Sequence, residues 1–346
     1  MTIVATPTRP WATSRRFLLK ELLNLAVALA AAFGLVRFTG FEGKLGFIAC
    51  FFFIALTLTA ALEWHDRGIE SAKNALARSI VMACAVVVLI PLVSILWTVV
   101  SNGVHALRLN FFTTDMSIYA GDAEFDQGGA KHAIIGTVLL VAMSSAISIP
   151  VGILTALYLT EIRGRFAGLV RFLVQAMSGV PSVVAGLFIY SAWILGPGGH
   201  YSGFAGALSL AILMLPTVAR TAEEVLRLIP QDLREAGVAL GGTQWRTVAM
   251  IVLPTARSGL VTSGILGVAR VAGETAPLIL TVFGATAVTY DMFGGPIGAL
   301  PLFVFQMIKL GMDNAVARAW TAALVLMVLV LVLFATARTL AGRNSK

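Results

Sequence analysis

Residues 80–100 read IVMACAVVVLIPLVSILWTVV, an apolar run without one charged side chain. A helix that crosses a lipid bilayer needs roughly 20 mostly apolar residues, so a run of this length points to a membrane span. Windows of similar length centre near residues 27, 54, 90, 146, 184, 212, 270 and 328, and the sequence therefore predicts eight spanning helices. A transmembrane barrel would alternate apolar and polar residues over strands of about ten, which these unbroken runs exclude. Composition agrees, with 58% hydrophobic residues, 12% charged residues and a mean hydropathy of +0.90. The fold class expected is an all-α polytopic membrane protein.

The net charge of +8 would suit a nucleic-acid binder, but a multi-pass protein collects Lys and Arg on one side of the membrane for topological reasons. With the N-terminus inside, 18 of the 25 basic residues fall in segments 1–20, 63–79, 160–171, 220–257 and 338–346. Six fall outside, and Arg270 alone stays within a span. Both termini are thus expected in the cytoplasm, with lipid and not nucleic acid as the surrounding partner. The N-terminal basic flank and apolar run lack a convincing cleavage site, so they read as a retained span.

Cys50 and Cys84 lie within apolar spans, without a CxxC or a neighbouring His, and read as small core hydrophobes. No His, Cys and carboxylate set has metal-ligand spacing, and no nucleophile, base and orienter stand together. Nor is there a GxxxxGK[ST], so the chain has no phosphate-cradling loop for ATP. The expectation is a non-enzymatic chain with no cofactor of its own, its energy supplied by a partner or an ion gradient.

Two hydrophilic stretches stand out. Residues 101–132, with Asp115, Asp122, Glu124 and Asp126, read as an outer surface loop, with a partner contact as the alternative. Residues 220–257 are patterned: Val225, Leu228, Leu233, Val238 and Leu240 mark apolar positions on short helices around a Gly241–Gly242 hinge. Such a ridge requires either a docked partner or a lipid surface to cover it. The first span beyond it contains "ARVAGETAP", where Arg270 and Glu274 are four apart and predicted one turn apart on one helical face, with Pro277 just beyond. A charge in mid-membrane costs about 2.5–3.5 kcal/mol, so both should face a cavity or another helix. The residues leave open a water-filled path or a fixed ion pair.

The spacing within the loop carries a resemblance. Glu235, Ala236 and Gly237, then Gly241, then Ile251, Leu253 and Pro254 resemble the EAA signature of bacterial ABC-importer permeases, EAA-x3-G-x9-I-x-LP, with Gly237 in place of the second alanine. Residues 128–161, "SGVPSVVAGLF" and "ARVAGETAPLILT" are similar to permeases of the phosphate-specific importer, the PstA type more than its C-type partner. This resemblance covers about residues 75–340 and implies a type I (MetI-like) permease domain over 75–346, six core helices, with two extra N-terminal helices in 1–74. It implies a C-type permease (PstC-like), an ATPase dimer (PstB-like) that uses the ATP, and an external phosphate-binding protein (PstS-like). It implies, further, that Glu235 to Gly241 form a coupling helix on the ATPase, and that Arg270 contacts phosphate while Glu274 restrains it. Arg220 is either a positive-inside anchor or a second coupling contact. The alternatives are another oxyanion, sulfate or molybdate; a self-contained secondary transporter; and a membrane assembly protein that docks an ATPase without moving an anion.

Overall fold

The computed structural model describes residues 15–39, 43–196 and 199–343. The terminal residues 1–14 and 344–346, on which part of the expected orientation rests, lie outside the described residues. Fourteen helices are described: α1 (Arg15–Thr39), α2 (Lys44–Arg67), α3 (Ile69–Gly103), α4 (Asn110–Thr113), α5 (Lys131–Leu157), α6 (Ala167–Ser178), α7 (Ser182–Ile189), α8 (Gly203–Arg227), α9 (Gln231–Ala239), α10 (Gln244–Thr247), α11 (Leu253–Val271), α12 (Ala276–Thr281), α13 (Leu300–Leu310) and α14 (Asp313–Arg343). Single π turns extend α5 and α7 and join α10 to α11. No sheet occurs among the described residues, only an isolated bridge between Phe283 and Ile297.

Six helical stretches are long and apolar enough to cross a membrane, and a seventh crossing is possible if the bent pair α6 and α7 counts as one. The chain is a multi-pass membrane protein. Windows expected near 54, 90, 146, 212 and 328 fall on such stretches. The window near 27 lies on α1, whose apolar part is Leu22–Arg37. The two remaining windows need correction. The one near 184 is broken by a 105° bend, because Gly179 and Pro181 interrupt the hydrogen-bond ladder between α6 and α7. The one near 270 is displaced: its continuous helix runs from Gln244 to Val271, with Arg246 and Arg257 carried on exposed faces.

The chain divides into two compact units, residues 1–96 and 97–346. In the first, α1 packs on α2, and Ala28, Ala32 and Ala75 are buried. The α3 segment from Ile80 to Leu96 is exposed along nearly its whole length, so Cys84 is not a core residue as expected. An all-apolar exposed helix is a lipid-facing or helix-facing one.

In the second unit, α5, α8 and α11 form the centre, with Leu140, Leu210, Met214, Val218 and Val271 in one buried cluster. Small residues set the helix spacing, as expected where lipid tails supply no hydrophobic drive. A Cβ on Gly152 of α5 would meet Val218 Cγ1 at 2.8 Å, and one on Gly267 of α11 would meet the same side chain at 2.7 Å. The 101–132 stretch is a tied loop and not a merely solvated one. Arg318 of α14, only 1% exposed, donates to the carbonyls of Gly121 (2.9 Å), Glu124 (2.7 Å) and Gln127. Asp115 accepts from the Ser117 hydroxyl at 2.7 Å and the Val288 N–H at 3.1 Å, while Asp122, Glu124 and Asp126 face outward.

Candidate functional site

Residues 220–257 consist mostly of helix ends. Helix α8 continues to Arg227, Pro230 opens α9 with its φ of −56° suited to the position before a helix, and the next span begins at Gln244. Asp232 in the first turn of α9 faces the positive end of the helix dipole. At the other end Gly241 takes φ +82°, a region that glycine enters without strain. Its N–H bonds to Val238 O at 2.9 Å, and that of Gly242 to Gly237 O at 3.2 Å. These two bonds make a Schellman closure, after which Thr243 caps α10 by accepting from the Arg246 N–H. The motif glycine therefore acts through a defined left-handed corner.

Gly237, the departure from the EAA pattern, has a packing reason that helix propensity did not reveal. It is buried against the following span, where a Cβ would meet Thr247 Cγ2 at 2.6 Å and Ile251 Cδ1 at 2.8 Å. Ile251 thus contributes by touching α9, while Leu253 is half-buried and Pro254 exposed. Pro254 has no N–H for the carbonyl one turn back, and the helix widens to π register over Val248–Val252 just before it.

The corner is held by two residues that sequence reasoning missed. Arg234 donates through Nη2 to Glu161 Oε1 at 2.8 Å and through Nε to Oε2 at 3.1 Å. The same guanidinium reaches Leu226 O at 2.9 Å and Ile229 O, and Gln244 Nε2 donates to Glu161 O at 2.6 Å. With side chains 7% and 17% exposed, Glu161 and Arg234 form a shielded, bidentate pair. Their only sequence cue is a carboxylate ending the apolar run "ALYLTE" and an arginine just before the motif.

Beside this pair lies a cleft of about 670 Å³ lined by Glu235, Val238 and Gln244 among others. Glu235 and Ala236 are exposed, as are the apolar Leu228 (81%), Leu240 (88%), Val238 and Trp245. An apolar ridge around one carboxylate is therefore presented at the corner. Arg220 is not part of this cleft: it lines a separate 160 Å³ recess with Arg171, Glu223 and Arg227.

The charged span departs from expectation. Helix α11 stops at Val271, Ala272 and Gly273 form a turn, and α12 begins at Ala276. Pro277 lies in the first turn of α12, where its missing N–H has no intrahelical partner to lose. Arg270 is thus the last-turn residue of one helix and Glu274 belongs to the link before the next, so they do not share a helical face. Neither side chain makes a hydrogen bond or ion pair among the described residues, although the Glu274 N–H donates to Val271 O at 3.1 Å. Arg270 is exposed and Glu274 half-buried. Among the small residues near them in sequence, Ser263, Gly264, Gly267 and Ala272 are buried, whereas Ala269 and Gly273 are exposed.

Comparison with known proteins bears on both regions. Residues 148–346 match the family of binding-protein-dependent transport system inner membrane components. The chain is 40% identical over 259 residues to the phosphate transport system permease protein PstA 1 of Mycobacterium tuberculosis, covering 75% of this chain and 85% of that one. It is 38% identical over 255 residues to PstA of Pasteurella multocida, covering 73% and 88%. Its fold is similar to an inward-facing structure of the MetNI methionine ABC transporter, with a TM-score of 0.51 at 20% identity over 62% of this chain and 97% of the other. The fold is therefore that of a MetI-like importer permease. A shielded corner on a MetI-like core and these matches across three quarters of the sequence lead to one conclusion: the chain belongs to the PstA family of phosphate transport system permease proteins.

Proposed function

We propose that this chain is the permease subunit of an ATP-driven importer that moves inorganic phosphate across the cytoplasmic membrane. The observation that carries this reading is the α9 corner, an exposed apolar ridge with Glu235 on a chain that has no nucleotide-binding loop of its own. Phosphate as cargo rests on the names of the relatives.

The chain pairs with a C-type permease, docks two copies of a separate ATPase, and receives its anion from an external phosphate-binding protein. Closure of the ATPase pair displaces α9. Gly237 passes that displacement through Thr247 and Ile251 into the span that carries Arg270 in its last turn. Arg270 offers a planar, permanently charged fork to phosphate oxygens. Glu274, on the separate link, repels an anion when ionised, and serves as the partner that Arg270 takes when the path is empty. The one-sided distribution of Lys and Arg favours both termini in the cytoplasm. Residues 1–74 add two helices to a permease domain over 75–346.

Uptake of labelled phosphate by vesicles holding the full set of subunits, compared with vesicles lacking this chain, tests the reading. Uptake that requires both this chain and ATP is expected. Uptake by this chain alone would make it a secondary transporter, and ATPase binding without anion flux would make it a docking protein. Arg270→Lys or Arg270→Ala with normal assembly and normal uptake would remove the pathway role.

A further inference from the structure

A second cavity, about 390 Å³, lies where the π turn after α5 meets α6 and α8, and Thr160, Arg163, Arg171 and Arg227 are among its walls. The three arginines come from three different elements, so their convergence is a product of the fold. Arg163 takes φ +50°, a conformation few non-glycine residues adopt, with its N–H on Tyr158 O at 3.0 Å and its Nε on Thr160 O at 2.8 Å. That turn places its guanidinium at the cavity.

Negative charge does not keep pace. Glu223 accepts from both Arg171 (3.0 Å) and Arg227 through a single oxygen, Oε1. Glu161, next to Thr160, is taken by Arg234. The adjoining recess adds one residue of each sign, Arg220 and Glu224, and so no net charge. Three guanidinium groups therefore meet one carboxylate. The Nε of Arg171 is shielded from solvent and has no hydrogen-bond partner among the described residues. A shielded donor without an acceptor is uncommon in folded proteins and marks a place where an acceptor from outside fits.

The surroundings favour a phosphoryl group. Helix α6, which carries Arg171, exposes Leu169, Phe172 and Leu173, and Arg165 lies 4.6 Å over the exposed Phe166 ring. An amphipathic helix with apolar residues outward and one arginine, Arg171, at the cavity suits the headgroup layer, and α6 turns 105° from the apolar α7 that follows. Arginine forks match phosphoryl oxygens in geometry and charge.

We propose that Arg163, Arg171 and Arg227 bind a phosphoryl group, supplied by an anionic phospholipid headgroup or by free phosphate. The free-phosphate source, and the assembly used in the test, rest on the importer reading above. The test uses the assembled permease pair and ATPase, without the external binding protein, in nanodiscs. One arm measures binding of labelled inorganic phosphate in pure phosphatidylcholine discs. The other counts phosphatidylglycerol molecules retained by the complex from mixed discs, by native mass spectrometry. In Arg171→Gln and Arg163→Gln, binding about tenfold weaker than wild type in either arm is expected, the loss that follows from one charge-assisted contact. Arg270 is common to all samples, so a difference reads this cavity and not the path. A loss in the first arm identifies free phosphate and a loss in the second a headgroup. Unchanged binding in both arms overturns the proposal. Arg163 makes no hydrogen bond or ion pair with Glu223 among the described residues, so Arg163→Gln decides the matter even where Arg171→Gln fails to assemble. Transport assays play no part in either readout, which keeps this outcome separate from that of the importer reading.

Discussion

The Arg234 guanidinium grips both oxygens of the Glu161 carboxylate, at 2.8 Å and 3.1 Å, and so ties α9 to the end of the α5 helix. Two segments distant in sequence are thereby joined at the one corner that presents Glu235. The pair is shielded enough that losing one partner leaves the other charge poorly solvated, at a cost of about 3–5 kcal/mol.

Glu161→Gln and Arg234→Ala are therefore expected to free α9 from the bundle while the spans still insert. In the reconstituted importer, phosphate uptake should fall about tenfold, a loss of about 1.4 kcal/mol in coupling, with ATP hydrolysis largely kept. An unaltered ratio of uptake to hydrolysis in both variants would show that the pair has no part in coupling.

Gly237→Ala restores the family's second alanine yet should damage this chain, since its Cβ falls 2.6 Å from Thr247 Cγ2. Overpacking of this kind costs about 1–3 kcal/mol. Thr247→Ser removes the nearest clashing group, the methyl, and leaves Ile251 Cδ1 at 2.8 Å, so the double variant should regain part of the lost thermal stability in detergent. Equal stability of the single variant and the wild type would contradict the close approach.

Arg318→Met removes a cation that three loop carbonyls accept from. Each charge-assisted bond is worth about 1.5–3 kcal/mol. Backbone amides of residues 121–128 should then exchange at least about tenfold faster, with the α5 and α8 amides unchanged, as read by hydrogen exchange. Exchange at the wild-type rate would mean the loop is held by other contacts.

The Asp115 carboxyl is held below the usual carboxylate range, first by the Ser117 hydroxyl and also by the Ser117 and Val288 N–H groups, against desolvation, which acts the other way. A depressed native value means the stabilisation is fully present above the unfolded value, near about 3.9, and is lost as pH falls through the lower native one. Thermal unfolding followed below about pH 4 should therefore be less pH-dependent in Asp115→Asn than in wild type. Identical acid slopes would remove Asp115 from this role.

Much of the membrane architecture was legible because lipid imposes it: long apolar runs have few other fates. The α9 corner was legible too: Leu233, Val238 and Leu240 have helical spacing beside Gly241 and Gly242, and the family resemblance marks Glu235, Gly241 and Pro254. Glu161 and Arg234 were not, because their pairing is set by how α5 and α8 pack and neither stands in a local pattern. The break between Arg270 and Glu274 was within reach. Gly273 disfavours a continuing helix, and Pro277 has no N–H to donate to the Gly273 carbonyl one turn back, but an apolar average over the window conceals both.

The Gly241 turn bears on how force crosses the protein. A flexible joint would absorb a push as bending, whereas a glycine closed by two backbone hydrogen bonds and packed through Gly237 onto the next helix has little compliance. Under the proposed coupling role, load applied at Glu235 reaches the foot of the span as displacement, with the stroke set by lever length rather than by elasticity.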